Sequence, residues 1–184
     1  MNILPALDAL LAFPADHAEI VSFLRAQRVG LITNHTGQTR DRVSTLDSLR
    51  VLDVNVRALF SPEHGVAGKQ EGDVASSQTE EGLPIHSLYG ETRRPTPEML
   101  ADIDVLVFDI QDVGARFYTY ASTLCYALEE CAAHNKSLVV LDRPNPLGGT
   151  AVEGPRLERS CRSFVGHVQV PLRHGLTTGE LALW

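Results

Sequence analysis

The sequence has little cysteine, few aromatic residues and no excess of basic charge. Only Cys125, Cys131 and Cys161 are present, without a CxxC pair or metal-ligand spacing, which reads as reduced, structural thiols in a reducing compartment rather than a disulfide framework. Lys and Arg number 16 against 23 Asp and Glu, for a formal net charge of −7. That balance speaks against a general nucleic-acid binder. An acidic substrate stays open, because a few arginines can reverse the sign inside one cleft. No apolar run approaches the roughly 20 residues of a membrane helix, so no membrane partner is expected. The opening MNILPALDALLAF lacks the basic start and cleavage site of a signal peptide, and Asp8 interrupts it; as it stands, the chain is expected to be cytoplasmic. Several motifs are missing as well. No GxGxxG follows the first strand, no P-loop lysine pattern or GxSxG is found, and the seven histidines are scattered. No nucleotide cofactor, resident metal or serine nucleophile is expected.

What is present is an ordinary globular composition, 43% hydrophobic and 21% charged over 184 residues, enough for one sizeable core. Short β-branched runs alternate with helical patterns. Strands are predicted at Val29–Thr33, Val54–Phe60, Asp104–Ile110 and Leu138–Leu141, with a fifth at Phe164–Val170. Helices are predicted near His17–Gln27, Val43–Leu52, from Pro97, over Tyr118–His134, and from Thr177 onward. The alternation implies βαβ units and one open, mostly parallel α/β sheet with helices on both faces. The Gly-, Ser-, Gln- and Glu-rich segment Gly65–Gly90 is expected to be a long loop covering the site.

The chemistry collects just past the strand ends, where ligands bind in open α/β sheets. Asn34 follows the first strand and Ser61–Gly65 the second. Asp109, Gln111, Asp112 and Arg116 follow the third, and Asp142, Arg143 and Asn145 the fourth. Glu63, in a rigid turn between Pro62 and His64, is the foremost candidate acid; the alternative is a carboxylate capping a turn. His64 is either an orienting neighbour or a structural histidine. Asp109 and Asp112 are candidates for a second carboxylate, and each could instead bind backbone amides, as could Asp142. Arg116 and Arg143 would either clamp an acidic substituent or form internal salt bridges to these aspartates. Tyr118 and Tyr120 are read as a sugar-stacking wall or as packing.

Blocks through nearly the whole chain from Gly30 match one family. GLITNHTG at 30–37, ALFSPEHGVAG at 58–68, LPIHSLYG at 83–90, DVLVFDIQDVGARFYTYAS at 104–122, VVLDRPNPLGG at 139–149, VEGP at 152–155 and PLRHGLTTGELA at 171–182 resemble the NamZ-type exo-β-N-acetylmuramidases. The resemblance implies a Rossmann-like catalytic domain that removes terminal non-reducing β-linked N-acetylmuramic acid from peptidoglycan-derived muramyl saccharides, with Glu63 as catalytic acid. His64, Asp109 and Asp112 are carried over beside it. Asn34, Gln111, Arg116, Tyr118, Asp142, Arg143, Asn145, Glu153, Arg173 and His174 are carried over as substrate-binding positions, with roles taken from their chemistry. Family members continue for about as long again and add a second, smaller domain that closes over the cleft. Residues 1–184 are therefore expected to be the catalytic domain, truncated at its C-terminus. Two other readings stand beside this one: a phosphohydrolase whose Asp109, Asp112 and Asp142 gather magnesium, and a muropeptide-binding fragment without turnover.

Overall fold

The computed structural model describes residues 3–69 and 72–184. Its elements, in chain order, are helices α1 (Ala6–Ala12) and α2 (Ala18–Arg25), strand β1 (Arg28–Thr33), helix α3 (Thr45–Val51) and strand β2 (Asn55–Ser61). Strands β3 (Ser77–Gln78) and β4 (Pro84–Ser87), helix α4 (Pro97–Leu100) and strand β5 (Val105–Asp109) follow. Helix α5 (Tyr120–Ala133), strand β6 (Ser137–Val140) and helix α6 (Thr178–Leu183) complete the set. Among the described residues the sheet has six strands in the order β3-β4-β2-β1-β5-β6. β4, β2, β1, β5 and β6 run parallel, and β3 pairs antiparallel on the outer edge.

The period-2 pattern of the strands explains the layers. Val29 and Leu31 of β1, with Val105 and Val107 of β5, join Leu7, Leu10, Val21, Leu24 and Leu49 in one apolar cluster. Ile32, Leu106 and Phe108 turn the other way and pack with Leu100, Leu124, Ala127 and Leu181. Alternate side chains are thus apolar on both faces, so α1–α3 cover one face and α4–α6 the other. Gly30 is the single gap in β1, and a neighbouring layer fills it. A Cβ there would meet Leu106 Cδ2 at 2.6 Å and Phe60 Cε2 at 2.7 Å. Gly30→Ala should therefore cost about 1–3 kcal/mol by overpacking, read as a lowered denaturant midpoint with an unchanged slope.

Two sequence expectations are corrected. Phe164–Val170 is not a strand; it is a tight turn closed by a Ser163–Gly166 bridge, with Phe164 buried. The Gly65–Gly90 segment is not wholly a loop, since β3 and β4 extend the sheet from within it; Gln70 and Glu71 of that segment lie outside the described residues. No helix among the described residues is long and apolar enough to cross a membrane.

Candidate functional site

Because five strands are parallel, their C-terminal ends share one edge. The residues that leave it stand in the order Tyr89 after β4, Glu63 after β2, Asn34 after β1, Asp112 after β5 and Asp142–Arg143 after β6. The chain adds β2 on one side of β1 and later β5 on the other. The strand order therefore reverses between Asn34 and Asp112, which is where such folds bind ligands.

Glu63 is half-buried. The turn that presents it puts His64 and Gly65 in the left-handed region, at φ 69° and 75°, and His64 is exposed. The Thr119 hydroxyl donates to Glu63 Oε2 at 2.5 Å. Thr119 occupies the N-cap of α5, yet its side chain makes no capping bond to the helix. A buried residue of capping type that serves a carboxylate instead marks the spot as functional. The pKa of the Tyr89 phenol is raised above its ordinary value, first by its interaction with Glu63 and then by partial burial. Tyr120, one residue into α5, sits among Asn34, Glu63 and Asp112, and its pKa is raised mainly by burial.

Across from Glu63 three buried polar atoms face no hydrogen-bond partner among the described residues: Asn34 Nδ2, Asp112 Oδ2 and His174 Nε2. Buried polar atoms are normally satisfied, so an unpartnered trio beside a half-buried carboxylate is a place prepared for a polar ligand. Asp112 is 7% exposed, and its Oδ1 accepts from Gly114 N–H at 2.7 Å. Burial raises its pKa, and the Gly114 amide and His174 only partly oppose this. His174 Nδ1 accepts from Leu176 N–H at 3.1 Å, so a neutral ring carries its proton on Nε2. That nitrogen lies 3.9 Å from Asp112 Oδ1, and burial lowers the imidazole pKa.

Several sequence candidates are occupied elsewhere. Asp109 is wholly buried. It accepts from Arg143 Nε at 2.5 Å and Arg143 Nη2 at 2.9 Å, and from Thr45 Oγ1 at 2.5 Å. Arg143 also donates to Gln38 O. The internal salt bridge is thus the alternative that the fold adopts for this pair. Asp142 takes Gly179 N–H and the Thr177 hydroxyl and so anchors the start of α6. Asp109 and Asp142 are consumed by these bonds, and the described residues hold no group of three or more His, Cys, Asp or Glu placed to hold a metal; the magnesium-gathering arrangement is corrected accordingly.

Arg116 Nη1 donates to Pro155 O and Val170 O, both at 2.7 Å. Arg173 pairs with Glu153 at 2.7 Å and donates to Leu147 O. Asn145 bridges Leu176 O and Leu147 N–H, and Gln111 Nε2 bridges Asp112 O and Pro144 O. These side chains fasten the loops around the site to one another. Tyr118 is 40% exposed and meets Tyr120 edge-on, with ring centroids 5.8 Å apart. Beside it Phe117 is 55% exposed, so an aromatic surface borders the α5 end of the edge. Sequence reasoning missed Thr119 and Tyr89, although both stand within blocks of the family resemblance.

With this geometry in place, the comparisons with known proteins decide the family. The family model described as exo-beta-N-acetylmuramidase NamZ, N-terminal, matches residues 29–184. The chain belongs to this family. It is 52% identical over 163 residues to the peptidoglycan beta-N-acetylmuramidase NamZ of Bacillus subtilis (strain 168), covering 86% of this chain and 39% of that protein. Two crystal structures of DUF1343 family proteins from Bacteroides fragilis NCTC 9343 superpose on it. One has a TM-score of 0.85 at 47% identity over 98% of this chain and 44% of that one. The other has a TM-score of 0.79 at 36% identity over 100% and 46%. The chain thus spans less than half the length of each of these relatives.

Proposed function

We propose that this chain carries the catalytic edge of an exo-acting β-N-acetylmuramidase, which hydrolyses terminal non-reducing β-linked N-acetylmuramic acid from peptidoglycan-derived saccharides. The observation that carries the proposal is the placement of Glu63, held by the Thr119 hydroxyl, and buried Asp112 with its unpartnered oxygen at the strand-order reversal. Glycoside hydrolysis asks for two carboxyl groups in different environments. The neighbours of Glu63 are hydroxyls of Thr119 and Tyr89, which can donate to a carboxylate or accept from a carboxylic acid. A proton donor that cycles between both forms needs that tolerance. Asp112 instead faces the fixed N–H of Gly114 and the Nε2 side of His174, which favour the ionised form, while burial makes that carboxylate more basic. Glu63 therefore delivers the proton to the leaving oxygen, and Asp112 draws one from the attacking water. Asn34 and His174 hold polar atoms of water or sugar, and Phe117 with Tyr118 offers a face for the pyranose ring.

Asp112→Asn tests the role of the base. Turnover of natural and nitrophenyl muramides should fall alike, by about 10²–10⁴-fold, because water must be activated for both. The variant should also be the more stable protein at neutral pH. A carboxyl whose folded pKa is raised binds its proton more tightly when folded, so stability falls as pH climbs from the unfolded value of about 3.9 to the folded one and stays lowered above it. Removing the charge restores that loss. A Tm gain at pH 7 that shrinks toward pH 4 is expected; an equal gain at both values would deny that burial of the charge is its source.

A further inference from the structure

N-acetylmuramic acid differs from N-acetylglucosamine by a lactyl ether that ends in a carboxylate, so selectivity for it calls for a cation beside the site. The obvious arginines are committed. Arg143 is locked to Asp109, Arg116 Nη1 to two carbonyls, Arg173 to Glu153, and Arg94 to Glu129 and Glu130. Arg93 is different. It is exposed, and its guanidinium lies 4.4 Å from the centroid of the Phe164 ring and 5.5 Å from that of Tyr89. Among the described residues no carboxylate pairs with it.

We propose that Arg93 reads the lactyl carboxylate of the substrate and sets the preference for N-acetylmuramic acid over N-acetylglucosamine. The inference rests on the muramidase reading above. Placement carries it: Arg93 lies against Tyr89, which leaves β4 at the same sheet edge where Glu63 leaves the neighbouring strand β2. The cation thus stands one side chain beyond the proton donor, on the β4 side of the edge. A guanidinium laid on an aromatic face keeps its in-plane N–H groups free, and that fork matches a carboxylate. The platform is firm. Phe164 is 7% exposed, stacks on Tyr126 at 5.9 Å, and has its carbonyl fixed by the Ser122 hydroxyl at 2.6 Å. The charge is also needed there. Asp112 would repel an anionic substrate, and the whole chain carries −7; an arginine at the rim offsets part of that charge.

The test compares three nitrophenyl glycosides: the N-acetylmuramide, its lactyl methyl ester, and the N-acetylglucosaminide. The enzyme, in a chain extended to the relatives' length, is used as wild type, Arg93→Ala and Arg93→Lys. The wild type should prefer the free acid over the ester. Arg93→Ala should lower kcat/KM on the acid by about 10–100-fold, mainly through KM, and abolish the acid-over-ester preference, with Arg93→Lys between the two. If Arg93→Ala weakens acid and ester alike and leaves the preference intact, Arg93 only supports Tyr89 and Phe164, and the proposal is overturned. If the wild type hydrolyses none of the three, the muramidase reading itself fails. The arginine is then judged by binding of free N-acetylmuramic acid against its methyl ester; equal affinities for wild type would overturn it independently.

Discussion

Glu63→Gln should lower hydrolysis of a natural muramyl disaccharide by about 10²–10⁴-fold while leaving binding of the sugar largely intact. The amide preserves the shape of the side chain and can still accept from the Thr119 hydroxyl, which sits 2.5 Å from Oε2 in the native protein. What it cannot do is give a proton to the departing oxygen. The consequence depends on the leaving group. A nitrophenolate leaves without protonation, so the nitrophenyl N-acetylmuramide should lose far less than the disaccharide. Kinetics on the two substrates, with binding followed separately, check this. Equal losses on both would assign Glu63 to nucleophilic attack or to positioning rather than to proton delivery.

The second large effect is on stability. Arg143→Ala should destabilise the fold by about 3–5 kcal/mol, because Asp109 then remains as a buried, uncompensated charge. Asp109 is fully buried with both oxygens bound, and Arg143 is 7% exposed. Against a total stability of about 5–15 kcal/mol, that loss should show as a large drop in Tm or denaturant midpoint. The pair joins the end of β5 to the start of α3 through Thr45 and to the loop at Gln38. A double variant, Asp109→Leu with Arg143→Met, should recover part of the loss, since it leaves no orphaned charge. A substrate clamp would behave differently, with Arg143→Ala near native stability and selectivity between muramide and glucosaminide reduced.

The fold was legible where the signal is local. VGLIT, the run ending in LF, and DVLVFDI are apolar on alternate residues of both faces, which requires a sheet covered on both sides, and that pattern survives folding as the two clusters around β1 and β5. β3 and β4 were not legible. Ser77 and Gln78 are exposed and polar, and β4 begins with a proline and presents one strongly apolar residue, Ile85. Their strand character comes from pairing with each other and with β2, a non-local cause that periodicity cannot register. Phe164–Val170 misled for the converse reason: Phe164 stacks on Tyr126 and Val170 joins the core cluster, without strand partners for either.

The site divides the same way. That Asn34, Glu63, Asp112 and Asp142 would share an edge follows from parallel strands alone. Which of the polar residues would neutralise one another does not, because Asp109 and Arg143 are 34 positions apart and meet only through the register of β5 with β6. Thr119 was hidden for a further reason: as a threonine before a helix it reads as a cap, and only the folded chain shows its hydroxyl turned to Glu63.

The central claim is that this edge removes N-acetylmuramic acid from a non-reducing end. The most direct measurement incubates the chain, and a version extended to the relatives' length, with the β-linked disaccharide of N-acetylmuramic acid and N-acetylglucosamine, and follows released sugars by mass spectrometry. Free N-acetylmuramic acid should accumulate with wild-type protein, in the extended version at least, and not with Glu63→Gln. Intact disaccharide throughout in both wild-type versions, or release that is unaffected by Glu63→Gln, would contradict the account.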